Sequence, residues 1–60
     1  MAVALFKANA SAFPRSANAF DSLGEAYVRS GDKDKARESY RKALALDPNL
    51  ASARQALEKL

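Results

Sequence analysis

The sequence predicts an all-α fold, in which four antiparallel helices form a short piece of a helical solenoid. The chain resembles itself when it is shifted by 34 residues, which places Pro14 on Pro48 and Phe6 on Tyr40. Apolar and small residues recur at intervals of three and four, which is the spacing of one helix face. A self-similar period of this length is typical of stacked helix-turn-helix units.

The first two predicted helices cover about residues 2–12 and 17–30. Pro14 disfavours helix at the residue before it, so the first helix should close there. Ser16 is a suitable cap for the second helix, since a serine hydroxyl accepts a hydrogen bond from the free N–H groups of a first turn.

The second helix carries one apolar face made of Phe20, Leu23 and Tyr27, and Gly24 lies on that face. A glycine inside a helix costs about 1 kcal/mol relative to alanine, which favours a packing role for it. We therefore expect Gly24 to let a neighbouring helix approach closely.

The third helix is predicted at about residues 33–46. Gly31 can adopt the left-handed conformation that ends the second helix, and Asp32 can cap the third. Its inner face would consist of small, aromatic and aliphatic residues: Ala36, Tyr40, Ala43 and Leu44. Small residues on this helix would meet the aromatic rings of the second, so the two can pack as an antiparallel pair.

The fourth helix is predicted at about residues 50–60. Pro48 separates it from the third helix, and Asp47 or Asn49 would serve as its cap.

The segment 17–50 resembles a tetratricopeptide repeat (TPR). The residues that carry the resemblance are Phe20-x2-Leu23-Gly24-x2-Tyr27, then Ala36-x3-Tyr40, Ala43 and Pro48. Phe20 stands where the family pattern has Trp and Tyr40 where it has Phe, and both substitutions retain an aromatic ring. The resemblance implies a second helix of a partial repeat at 1–16, a complete repeat at 17–50 and a closing helix at 51–60.

The composition excludes the commonest catalytic arrangements. The 60 residues include no cysteine and no histidine, so neither a Ser-His-Asp nor a Cys-His arrangement can be assembled. We expect no enzyme, no cofactor and no metal site.

No apolar run approaches the roughly 20 residues that span a bilayer. Lys7 interrupts the apolar start Met1–Phe6, so no signal peptide is expected and a cytoplasmic location is the default.

In the TPR family the first helix of each pair lines a concave groove that receives a peptide. Mapped onto this chain, the resemblance implies a partner-binding groove formed by Asn18, Asp21, Glu25, Val28, Arg29, Ser52, Gln55 and Lys59. The alternative is an ordinary solvated helix face.

The family members that clamp an acidic carboxyl terminus use Lys, Asn and Arg in this groove, and here those places hold Asp21, Glu25, Ser52 and Ala56. Because two carboxylates repel an acidic tail, a basic or neutral polar partner is expected.

The third helix also concentrates positive charge, at Lys33, Arg37, Arg41 and Lys42. The pairs Asp34–Arg37 and Glu38–Lys42 have the spacing of intrahelical ion pairs, which favours a solvated face over a phosphate or nucleic-acid site. The net charge of +3 permits only weak attraction to acidic partners.

The two ends resemble unpaired halves of repeats. They would leave apolar surface at Val3, Phe6, Phe13, Leu57 and Leu60. Either two chains complement each other there, as a homodimer or a head-to-tail assembly, or neighbouring parts of a longer array cover these residues.

The predicted function is a scaffold or adaptor module for protein binding. The alternative is the carboxyl-terminal TPR appendage of a larger bacterial protein such as a hydrolase.

Overall fold

The computed structural model describes residues 2–60, and Met1 lies outside them. They form four helices, α1 (Ala2–Ala12), α2 (Ala17–Ser30), α3 (Lys33–Leu46) and α4 (Ala51–Lys59). The part of the chain that is described contains no strand, and the predicted all-α fold is confirmed.

Each helix packs on its neighbours in sequence, and α2 with α3 forms the most extensive pair. Because only two residues separate α2 from α3, two helices that pack along their length must run antiparallel.

The ends of α2 and the start of α3 form as predicted. Ser16 Oγ accepts a hydrogen bond from the Ala19 N–H at 3.2 Å. Gly31 has φ of +88°, in the left-handed region that a side chain disfavours, and its N–H donates to the Val28 carbonyl at 3.1 Å. Asp32 Oδ1 accepts from the Lys35 N–H at 3.2 Å and so caps α3.

The predicted cap of α4 is wrong. Asp47 ends α3 instead, because its N–H donates to the Ala43 carbonyl at 2.8 Å. Its carboxylate accepts from the Asn49 N–H at 3.1 Å, which uses the side chain within the turn. Leu50 occupies the cap position and makes no side-chain cap hydrogen bond, so α4 starts one residue later than expected.

The core consists of two clusters that share aromatic residues of α2. One contains Ala36, Tyr40, Ala43 and Ala53, and the other contains Ala10, Ala19 and Leu23. Phe20 and Tyr27 pack against both clusters and so join them. The aromatic rings of Phe20 and Tyr27 therefore fill the space that the small alanine side chains leave in the core.

Gly24 is a point of close approach between α2 and α3. A Cβ atom added there would lie 2.8 Å from Cε1 and Cζ of the Tyr40 ring. The predicted packing role of this glycine is confirmed.

The apolar residues at the two ends differ in exposure. Leu57 and Leu60 are half-buried and pack against the cluster around Tyr40, so they leave less free surface than expected. Val3 and Phe6 are also half-buried, and Phe6 packs against the second cluster. Within residues 3–60, the large apolar side chains that remain exposed are Leu5, Phe13, Val28 and Leu46.

Candidate functional site

The predicted groove residues lie on α2 and α4, and we call them the α2–α4 surface: Asn18, Asp21, Glu25, Val28, Arg29, Ser52, Gln55 and Lys59. Asp21 is half-buried and the others are exposed. Among the described residues, one side-chain hydrogen bond joins the two helices: Ser52 Oγ donates to Asp21 Oδ2 at 2.9 Å. These two residues are separated by a whole helix in the sequence, so only the tertiary packing brings them together.

The remaining members of the α2–α4 surface are less connected. Glu25 accepts a hydrogen bond from the Arg29 guanidinium at 2.8 Å, one turn further along α2. Gln55 borders a shallow depression on α4 whose other residues are outside the predicted set. Between residues 2 and 60, Asn18, Val28 and Lys59 form no ion pair or side-chain hydrogen bond with another member.

The ring of Tyr40, on α3, packs against α2 at Gly24, although nothing in the sequence pattern assigned it to the site. Burial raises the pKa of the Tyr40 phenol, and the negative charges of Asp21 and Glu25 raise it further. Ionisation of this phenol is therefore coupled to the two carboxylates of the α2–α4 surface.

This shift makes stability at alkaline pH depend on Tyr40. The folded-state pKa is raised above the ordinary value of 10.0, so the stabilising contribution is complete below pH 10.0 and is lost as the pH rises through the folded pKa. Above that pH, we expect the free energy of unfolding to fall less in the Tyr40→Phe variant than in the wild type, as measured by urea denaturation. The Tyr27→Phe variant, which retains Tyr40, should behave like the wild type. If the free energy of unfolding of Tyr40→Phe fell as much as that of the wild type at alkaline pH, this expectation would be wrong.

A pocket of about 170 Å³ lies between α1 and α2, and we call it the α1–α2 pocket. Val3 and Phe6 of α1 form one side, while Ala26 and the paired Glu25 and Arg29 contribute from α2. It adjoins the α2–α4 surface through Glu25 and Arg29. The sequence pattern places Val3 and Phe6 on one surface and Glu25 and Arg29 on another, because their proximity depends on how α1 lies across α2.

The basic residues of α3 divide between two environments. The predicted Asp34–Arg37 pair is present at 2.9 Å, and Arg37 also donates to the Leu60 carbonyl at 2.9 Å. Lys42 makes no ion pair with Glu38 among the described residues, so that prediction is wrong. Its Nζ lies over the Phe20 ring, 5.6 Å from the centroid, where the ring face attracts the ammonium group.

The surface offers hydrogen-bonding and charged groups suited to recognition. Over residues 2–60, no cluster of three or more acidic, histidine or cysteine side chains is placed to hold a metal ion. In that same range, no helix is long and apolar enough to cross a membrane.

Comparison with known proteins bears on the central helix pair. A family model described as tetratricopeptide repeat matches residues 17–50, which is more than half of the chain and covers α2, α3 and the turn after α3. No curated protein and no solved structure matches the chain.

Proposed function

Since the chain belongs to the tetratricopeptide-repeat family, whose repeats are typically protein–protein interaction modules without enzymatic activity, we propose that its α2–α4 surface binds a basic or neutral polar peptide. Within the repeat pattern, 17–50 is the complete unit, 1–16 the second helix of a partial repeat and 51–60 the closing helix. In this arrangement α2 and α4 are both first helices of their repeats, and they form one binding surface.

The observation that carries this proposal is the hydrogen bond between Ser52 and Asp21. It holds the Asp21 carboxylate in one orientation across two helices, so less conformational freedom is lost when a ligand binds. Glu25 adds a second carboxylate one turn along α2. Its exposed pair with Arg29 contributes little to stability, and a cationic group of a partner can replace Arg29. The carboxylates of Asp21 and Glu25 therefore favour an arginine or lysine side chain of the partner.

Charge reversal tests the proposed groove. The isolated chain is used to capture peptides from an immobilised library containing basic, neutral and acidic members. We expect Asp21→Lys and Glu25→Lys each to weaken binding of the selected basic peptides by about tenfold or more, or to exchange them for acidic ones, because each change replaces attraction by repulsion.

Asp34→Lys is the matched control, because it makes the same charge change at an exposed position of α3. It should alter binding of these peptides by less than about twofold. Equal effects of all three variants would mean that net charge alone attracts the peptides. Basic peptides that bind Asp21→Lys and Glu25→Lys as tightly as the wild type would also contradict the proposal.

The α1–α2 pocket supports a second candidate function, which is self-association. Val3, Phe6 and Ala26 give the pocket apolar walls, and Leu5, on the same helix as Val3 and Phe6, is 73% exposed. A helix of a second copy would bury this surface in a head-to-tail contact, which closes into a ring or continues as a fibre.

Light scattering coupled to size-exclusion chromatography tests self-association. We expect the mean mass to rise above 6.5 kDa with increasing protein concentration and Leu5→Glu to suppress that rise. Leu46→Glu, a matched charge at another exposed leucine, should leave the rise unchanged. If the wild type stayed monomeric at every concentration, self-association would be rejected. That result would favour the alternative, in which the chain is an appendage of a larger protein whose adjoining helices cover the pocket.

A further inference from the structure

A second groove lies on another face of α2, between α1 and α3. It has a volume of about 350 Å³, within the range of small ligand sites, and no residue of the α2–α4 surface lines it. We call it the lysine groove, because Lys7 of α1 and Lys35 and Lys42 of α3 line it. At 100° per residue, Phe20 and Tyr27 on its floor point well away from Asp21 and Glu25 along the same helix.

Positive charge dominates this groove. Three lysines face one glutamate, Glu38. Two of the lysines are positioned by aromatic rings, since Lys35 Nζ lies 6.0 Å from the Tyr27 ring centroid and Lys42 Nζ 5.6 Å from that of Phe20. The rings themselves are half-buried in the core, so they hold the two ammonium groups at the groove wall.

The floor between the lysines is partly apolar and partly polar. Ala10 and Leu23 are buried members of the second core cluster and also line the groove. Ser39 lines it as well and is only 4% exposed, so it places a hydroxyl group among apolar neighbours. A ligand that fits this lining combines negative charge at its edges with an apolar group at its centre.

We propose that the lysine groove binds an acidic peptide segment, in which carboxylates flank an apolar side chain. The carboxylates contact the ammonium groups of Lys7, Lys35 and Lys42, and the apolar side chain lies on the floor beside Leu23. This site is independent of the α2–α4 surface and has the opposite charge preference. The two faces of the chain therefore accept partners of opposite charge.

The geometry favours a peptide over a nucleic acid. In proteins that bind single-stranded nucleic acids, the bases stack on exposed aromatic faces. Here Lys35 lies over the ring of Tyr27 and Lys42 over that of Phe20, so neither ring offers a free face on that side. Carboxylates need only the ammonium groups, which remain accessible because Lys7, Lys35 and Lys42 are all exposed.

The experiment is a titration of the isotope-labelled chain with the acetylated, amidated peptide EELEE, followed by backbone amide NMR shifts. The neutral peptide QQLQQ is the ligand control. We expect EELEE to shift amides of α1 and α3 around the lysine groove, and QQLQQ to bind at least about tenfold more weakly, since it lacks the charges.

Two double variants separate the groove from general attraction. Lys35→Gln with Lys42→Gln removes two charges from the groove, and we expect it to weaken EELEE binding by about tenfold. Lys33→Gln with Arg41→Gln removes two charges from exposed positions of α3 outside the groove, and it should weaken binding by less than about twofold. Circular dichroism shows whether each variant is folded.

Lys7→Gln provides an independent check from α1 if the first double variant does not fold, with an expected loss of about threefold. Equal weakening in the two double variants would overturn the proposal, as would shifts confined to the α2–α4 surface. Tighter binding of an oligothymidylate than of EELEE would assign the groove to nucleic acid and overturn it as well.

Discussion

Replacing Tyr40 by alanine is expected to abolish cooperative folding of the isolated chain. The ring is 5% exposed and lies at the centre of the cluster that joins α3 to α4. Truncating a buried aromatic side chain to alanine costs about 3–5 kcal/mol. Small domains are stable by only about 0.05–0.15 kcal/mol per residue, or about 3–9 kcal/mol for 60 residues, so this cost is comparable with the whole stability of the chain.

The measurement is thermal unfolding followed by far-ultraviolet circular dichroism. Tyr40→Ala should lose the sigmoidal transition and most of its helical signal at room temperature. Tyr40→Phe is the matched control, because it retains the ring and removes only the hydroxyl group. At neutral pH it should stay within about 1 kcal/mol of the wild type. A cooperative transition of Tyr40→Ala with wild-type midpoint would show that the ring does not hold α3 on its neighbours.

Replacing Gly24 by alanine is expected to destabilise the chain by about 1–3 kcal/mol, the cost of inserting a methyl group into a filled core. The new Cβ would lie 2.8 Å from two carbons of the Tyr40 ring, closer than such atoms approach in proteins. Alanine is the better helix former by about 1 kcal/mol, so α2 alone would gain from the change. A net loss therefore measures the crowding against α3.

A double-mutant cycle with Tyr40→Leu isolates this contact. Leucine lacks the ring atoms that the new methyl group meets, so Gly24→Ala should cost less in the Tyr40→Leu background and approach neutrality. Urea denaturation of the four proteins gives the coupling energy. An equal cost of Gly24→Ala in both backgrounds would mean that the loss comes from elsewhere in α2.

The helices could be predicted because the residues that begin and end them act on nearby positions in the sequence. The bounds of α1, α2 and α3 agree with the expected ranges, and Ser16, Gly31 and Asp32 act within three or four residues of their own positions. The cap of α4 was mispredicted for a related reason. Asp47 lies between two helices and can serve either one, and the choice depends on the backbone conformation of the turn.

The packing role of Gly24 was also predictable, since a glycine on an apolar helix face indicates close approach whatever the partner. The partner itself was not. The sequence placed Tyr40 in the core, while its phenol also lies near enough to Asp21 and Glu25 for their charge to raise its pKa. That relation depends on how the Tyr40 ring packs against α2 at Gly24.

By itself the sequence determined the helices, their faces and the membership of the repeat family, because helix periods and caps depend on residues at most one turn apart. Only the tertiary structure decided which polar groups meet. The bond from Ser52 to Asp21, the pocket between α1 and α2, and the placement of Lys35 and Lys42 over aromatic rings all join different helices. Such contacts follow from the crossing of helices, and the crossing is set by the fit of side chains across the whole core.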